Sequence, residues 1–515
     1  MDVGYLLTTN LGETSMTSVQ CDVVVCGLGG AGAMAAIAAA ESGANVVVVE
    51  RTDDGGGSTR DSGGNIRTFK DTELAIQHYA YLSYGSTALD VIRAMVETAV
   101  TLPEWFVAHG AQQVWGNPRH TTGLEGYPEA ICPITYAGSA FEGAPGAEGL
   151  GPRFQAALAS WTFDETNIKG GTAGGTASGT TLWQVLHANL VKLGITIHYN
   201  TRAEELILDD DGSVAGVRCA SPDGTVEVRA SRGVILTSGG FADDSKLKID
   251  SFGADIPTLC GPGKKTGEGI RMAQSVGADL FHMKDLAATL GYKFDDEPAG
   301  FFATMRGPGF VLVDQDGLRF ANETELEGHA AGLSLLVPDQ HRGSYRRMPC
   351  FFLFDEETRY DGPIVRTPSG YNAGYPWSRD NQKEIDRGWI KTADTIAELA
   401  AQLGLPVDTV EQTVEEFNAA CTSGKDRFNR PTDLMRPIVS APFYGVATWP
   451  VLFNTQGGPR RDAKCRVLNM DGETISGLFS AGELGSMFGA YYPGGGNVTE
   501  ALATGIIAGR AAASV

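Results

Sequence analysis

The chain has 515 residues, room for two or three domains, and its 42% hydrophobic and 20% charged residues are those of an ordinary globular protein. A formal charge of -22 speaks against nucleic acid or an anionic membrane as partner, and no apolar run reaches the length of a bilayer. The 8 cysteines form no CxxC or CxxCH pair, so neither a zinc site nor haem attachment is expected; with no signal sequence, a reduced cytoplasmic setting is.

Residues 1–20 are polar and read as a short lead. Residues 21–50 then predict strand, tight turn, helix and strand. The expected elements are a buried strand at 22–26, a small-residue helix at 33–42, and a second buried strand at 45–49. The turn Gly27-Leu28-Gly29-Gly30-Ala31-Gly32 has the pattern G-x-G-x-x-G. Gly27 allows the turn, Gly29 lets backbone approach a pyrophosphate, and Gly32 permits close helix–strand packing. Glu50 closes the second strand about 20 residues on, where an acid accepts a ribose hydroxyl. These parts together predict a dinucleotide site that includes Gly30, Ala31 and Arg51.

A second glycine and hydroxyl block follows at 55–65, containing Gly57, Ser58, Thr59, Ser62, Gly63 and Gly64. An NAD site has no use for such a block there. FAD does, because its ribityl chain and ring continue past the pyrophosphate. No histidine lies in the block, so FAD is expected to be non-covalent. The segment 116–151 is rich in glycine and proline and carries Tyr127 and Tyr136; with Trp115 beside it, it reads as an aromatic wall or lid, or as a surface loop. Strands are expected at 195–200, 203–208, 214–219 and 225–229, with His198 in a structural place. A further buried strand from 233 runs into Ser238-Gly239-Gly240.

The segment 477–510 is the densest in chemistry. A buried strand leads to Gly482 and Glu483, then to the loop Tyr491-Tyr492-Pro493-Gly494-Gly495-Gly496, and then to a helix whose first turn holds Asn497 and Val498. Helix N-termini offer unpaired amide hydrogens and partial positive charge. Glu483 is expected on the ribityl chain.

These blocks, with Lys265-Thr266-Gly267-Glu268-Gly269 and Arg319-Phe320-Ala321-Asn322-Glu323, resemble the FAD-dependent family of fumarate reductase flavoproteins, urocanate reductase and 3-ketosteroid dehydrogenases. The resemblance covers nearly the whole chain. It implies an α/β fold: a Rossmann-like, glutathione-reductase-like FAD domain with an inserted α+β capping domain. The corresponding division is 21–277 and 441–515 for the FAD domain and 278–440 for the cap.

Fumarate-type reductases have three cationic substrate groups, whose places here hold Glu327, Asn454 and the Tyr492-Pro493 pair. Without them a dicarboxylate would lie unpaired, at a cost of several kcal/mol by rough estimate. The 3-ketosteroid dehydrogenases are similar at Tyr492-Pro493-Gly494-Gly495-Gly496, where the resemblance implies that the Tyr492 hydroxyl and the Gly496 amide hold a ketone oxygen. Their base, a tyrosine, is replaced by Glu327. The acid/base is then Glu327, Tyr127, Tyr136 or His329; Glu327 also reads as a solvated charge, and His329 as a loop residue.

The expected activity interconverts C–C and C=C next to the carbonyl of an apolar cyclic ketone or enone, with a separate electron donor or acceptor. The alternatives are an ene-reductase of an unsaturated carboxylate, gripped by Arg306 or Arg346, and a non-catalytic electron-transfer flavoprotein.

Overall fold

The computed structural model describes residues 17–115, 141, 143–160, 178–259, 263–326, 328–366, 375–489 and 491–515. Glu327, Tyr127 and Tyr136 lie outside the described residues.

The valine runs at 23–25 and 46–49 are buried on both faces, which suits central strands of a parallel sheet. Five parallel strands run in the order Thr474–Ser480, Gly224–Leu236, Thr17–Cys26, Val46–Val49 and Thr196–His198. Val24 pairs with both Val47 and Val234, so the first strand sits at the centre. Two stretches expected as separate strands, 225–229 and the run from 233, are one 13-residue strand. The ladder to the first strand breaks register at Ser231 and Arg232, where Ala230 faces Cys21 and Gly233 faces Val23, but the strand continues through this irregularity.

The first helix is Gly30–Glu41, three residues earlier than expected at its start, because the last glycines of the turn form its first turn. It is buried nearly all round, between the sheet and the C-terminal helix Gly496–Ala513. The two helices approach closely. A Cβ on Gly505 would lie 2.5 Å from the Ala31 carbonyl oxygen, and one on Gly509 would lie 2.3 Å from that of Ala35. That contact explains why both helices are built from alanine and glycine.

A second, antiparallel sheet runs Phe301–Phe302, Leu286–Tyr292, Phe443–Thr455, Cys350–Asp355 and Phe310–Val313. The helices Ile396–Leu403 and Val407–Ser423 pack on it through Leu399, Val410, Val414 and Phe417, giving an α+β unit with its own core. Its long strand Phe443–Thr455 follows residue 440, on the side assigned by sequence to the FAD domain, yet its strand partners all belong to this second sheet. No helix among the described residues is long and apolar enough to cross a membrane.

Candidate active site

A cavity lies along the carboxyl ends of the parallel strands, where α/β sheets bind ligands. Its nucleotide end is built by Gly27, Leu28, Gly29, Gly30 and Ala31, with Glu50 and Arg51 opposite. Gly27 takes φ 106, and a side chain there would strike the Thr237 carbonyl at 2.8 Å. A Cβ on Gly29 would have nothing nearer than 4.0 Å, so this glycine keeps backbone open to the cavity. Buried Glu50 accepts from Leu28 N at 2.6 Å through one oxygen, and from Thr52 N at 2.8 Å and Thr52 Oγ1 at 2.7 Å through the other. These bonds fix the carboxylate while leaving lone pairs for a ribose hydroxyl. Replacing Glu50 with alanine is expected to weaken dinucleotide retention by about 10–100-fold, the worth of roughly one or two charge-assisted hydrogen bonds. Equilibrium dialysis of the flavin against the variant measures it, and unchanged retention would remove Glu50 from the site.

The second glycine block forms a short helix, Gly57–Asp61, that the sequence reading missed. Thr59 Oγ1 accepts from Gly30 N at 3.1 Å, tying this block to the first turn, and Ser58, Ser62, Gly63 and Gly64 also line the cavity. Farther along, Glu483 Oε1 accepts from Thr455 N at 3.1 Å and Oγ1 at 3.3 Å. Burial pushes its carboxyl above the ordinary range, while Lys265 beside it pulls the other way. Ser238 and Gly239 stand on the same wall.

Three expected cofactor glycines, Gly32, Gly240 and Gly482, are not on the cavity lining. Each is instead a packing point. Added Cβ atoms would meet the Gly27 carbonyl at 1.9 Å, Thr455 Oγ1 at 2.0 Å and the Ala31 Cβ at 2.8 Å, respectively. Sequence reading also missed the cavity residues Thr201, Arg202, Lys264 and Lys265. Only the basic pair at 264–265, next to the T-G-E-G block, offered a signal.

The residues present suit a flavin dinucleotide. Asn497 opens the C-terminal helix, and its side-chain Nδ2 and Oδ1 are both buried on the cavity without a protein partner; so is Ser238 Oγ. Polar atoms buried in this way call for a ligand's donors and acceptors. Val498 and Gly495 complete that wall.

At the far end Tyr492 is buried, with its ring 5.9 Å from Phe488 and 4.8 Å from His329. His329 lines the cavity, packs 5.0 Å from Phe453 and is buried, so it is no ordinary loop residue. Asn454, in one of the places where fumarate reductases are cationic, lines the cavity too. The loop is held from behind by buried Arg67. Its Nε donates to the Gly494 carbonyl at 3.0 Å, and its backbone N donates to Thr499 Oγ1 at 2.7 Å. Burial, with Arg153 nearby, pulls the Arg67 guanidinium down to about 10.

Gly496 departs from expectation. Its N–H donates to the Pro493 carbonyl at 2.7 Å, closing the turn, and the residue is not on the cavity lining. That amide is committed to the loop.

The cavity's basic side chains have acidic neighbours. Arg51 lies 3.2 Å from Glu268, Lys264 lies 3.3 Å from Asp61, Arg202 pairs with Glu204 and Lys265 adjoins Glu483. Arg306 and Arg346 do not line it; Arg346 pairs with Asp314 at 2.9 Å and Asp316 at 2.7 Å.

Comparison with known proteins agrees with this geometry. The chain is 28% identical to a 3-oxosteroid 1-dehydrogenase of Mycobacterium tuberculosis, covering 96% of this chain and 98% of the relative. It is also 28% identical to a 4-oxocyclohexanecarboxylate 2-dehydrogenase of Sinomonas cyclohexanicum, covering 95% and 92%. The fold is shared with the crystal structure of a 3-ketosteroid delta1-dehydrogenase from Sterolibacterium denitrificans, at a TM-score of 0.79 and 22% identity over 96% and 99% of the two chains. The family model described as FAD binding domain matches residues 22–499, so the chain belongs to that family and is an FAD-dependent oxidoreductase.

Proposed function

We propose that this protein interconverts a C–C and a C=C bond next to the ketone of an apolar cyclic substrate, as a 3-ketosteroid-type dehydrogenase or its reverse. The carrying observation is Tyr492, buried on the cavity lining beside His329, which packs in turn on Phe453. A phenol there can hold a ketone oxygen, and the aromatic faces suit an apolar ring. Two relatives are named for ring ketones, one a steroid and one a cyclohexane. Among the described residues the basic side chains that line the cavity have acidic neighbours, which weakens their grip on a carboxylate, and Arg346 is engaged elsewhere.

FAD accepts or returns the hydride when bound. Glu50 and Arg51 would hold its nucleotide half, Ser58, Thr59 and Glu483 its middle, and Ser238, Asn497 and Val498 the part beyond. Tyr492 orients the ketone and stabilises charge that develops on its oxygen. Electrons pass to or from a separate partner, in a cytoplasmic setting.

The test is an anaerobic titration of the flavin-loaded protein with a panel of saturated ring ketones, enones and unsaturated acids. Saturated 3-ketosteroids are expected to bleach the oxidised flavin, and enones to reoxidise the reduced one. Indifference to every ring ketone, with turnover of fumarate or urocanate, would overturn the proposal.

A further inference from the structure

We infer that His329 is the group that moves the substrate's α-proton, a catalytic role that rests on the ketone reading above. Histidine is the side chain that most often transfers protons in catalysis. This one is buried and lines the cavity, with its ring 4.8 Å from that of Tyr492 and inclined to it by 59°. On the other side it packs 5.0 Å from Phe453, which also lines the cavity. The imidazole and the phenol therefore lie side by side on the cavity lining, with the apolar Phe453 ring next to them.

The two groups come from opposite parts of the fold. The His329 carbonyl accepts from Ala288 N at 2.9 Å, which ties its backbone to strand Leu286–Tyr292 of the second sheet. Tyr492 comes from the loop before the C-terminal helix, held by Arg67. Packing of the second sheet over the cavity thus delivers the imidazole to the phenol. A carbonyl oxygen and its α-carbon lie roughly 2.4 Å apart on ordinary bond lengths, so adjoining rings can address both atoms of one ketone.

In the dehydrogenation direction, Tyr492 donates to the ketone oxygen and a His329 ring nitrogen takes the proton from the α-carbon. The electrons of that C–H bond form the new C=C as the β-hydrogen leaves with its own pair. Bound FAD would supply the acceptor for that hydride and so the oxidant for the step. His329 then releases its proton to solvent, and the ketone has lost two hydrogens. In reverse, His329 supplies the proton.

The experiment separates proton transfer from hydride transfer. The FAD-loaded protein is reduced beforehand, so hydride cannot leave, and a saturated 3-ketosteroid is incubated with it in deuterated buffer. Mass spectrometry follows exchange of the α-hydrogens, and ligand binding is followed separately through the flavin spectrum. The native protein is expected to catalyse exchange. His329→Gln should slow it by about 10²–10⁴-fold while ligand affinity changes less than about threefold. His329→Ala leaves space beside Phe453 and Tyr492, and free imidazole should restore part of the exchange, which a packing role does not predict. If either variant loses its flavin, the other carries the measurement.

Exchange at the native rate in His329→Gln, or its loss in Glu327→Gln with His329→Gln unaffected, overturns the assignment while leaving the ketone reading intact. A native protein that neither exchanges the ketone nor is bleached by it overturns both.

Discussion

Tyr492→Phe is expected to lower the rate of flavin reduction by ring ketones by about 10²–10³-fold while FAD stays bound, the scale seen when one donor to a developing oxyanion is removed. The substitution removes one oxygen and keeps the ring. That ring is held between Phe488 at 5.9 Å and His329 at 4.8 Å, and its loop is pinned by the Arg67 bond to Gly494, so the backbone has no reason to move. The Gly496 N–H is spent on Pro493, so that amide does not take over. A neutral ketone accepts a weaker hydrogen bond than the enolate it becomes. The hydroxyl therefore acts mainly in the transition state, and kcat should fall more than KM rises. Stopped-flow measurement of flavin bleaching across substrate concentrations separates the two. A rise in KM with kcat intact would make Tyr492 a binding contact only, and an unchanged rate would remove it from the site.

The nucleotide half of this site was legible because its logic is local. Gly27, Gly29 and Glu50 act through the turn, the helix and the strand that their own neighbours form, so spacing along the chain equals placement in space. Glu483 and Asn497 were legible for the same reason, at the end of a strand and the start of a helix. His329 was not. Its position depends on a backbone bond to Ala288 and on packing against Phe453 and Tyr492, partners 41, 124 and 163 positions away, which no periodicity encodes. Gly496 failed for the opposite reason. The loop motif pointed to its amide, and only the folded turn shows that hydrogen already taken by Pro493. Gly32, Gly240 and Gly482 show a third limit, because glycine beside a ligand and glycine beside another backbone look alike in sequence. The long strand Phe443–Thr455 was likewise beyond reach, since its partners in the second sheet are drawn from distant segments.

Arg461→Met is expected to destabilise the flavin-loaded protein by about 3–5 kcal/mol, the cost of leaving one member of a buried ion pair without the other. The Arg461 and Glu500 side chains are each 1% exposed and meet at 2.6 Å. Around them the backbone of the cofactor segment is gathered. Arg461 Nη1 donates to the Gly482 carbonyl at 3.2 Å and that of Leu484 at 3.4 Å, while Glu500 accepts from Met487 N and Ser486 Oγ, both at 2.7 Å. Glu483 lies between those anchors, so the same substitution should also loosen FAD. Glu500→Leu added to Arg461→Met removes the stranded carboxylate but orphans the Met487 N–H and the Ser486 hydroxyl. The double variant should therefore recover only part of the loss. Acidity gives an independent check. Burial already raises the Glu500 carboxyl against the pull of Arg461, and without the guanidinium it rises further. A carboxyl whose folded pKa exceeds its unfolded one stabilises the fold when protonated, and that advantage is lost as pH rises through the folded value. The stability gap between variant and native protein should thus narrow as pH falls from about 8 to about 5. Urea unfolding at each pH measures it, and a gap that stays constant or widens would show that the stranded carboxylate is not the source of the loss.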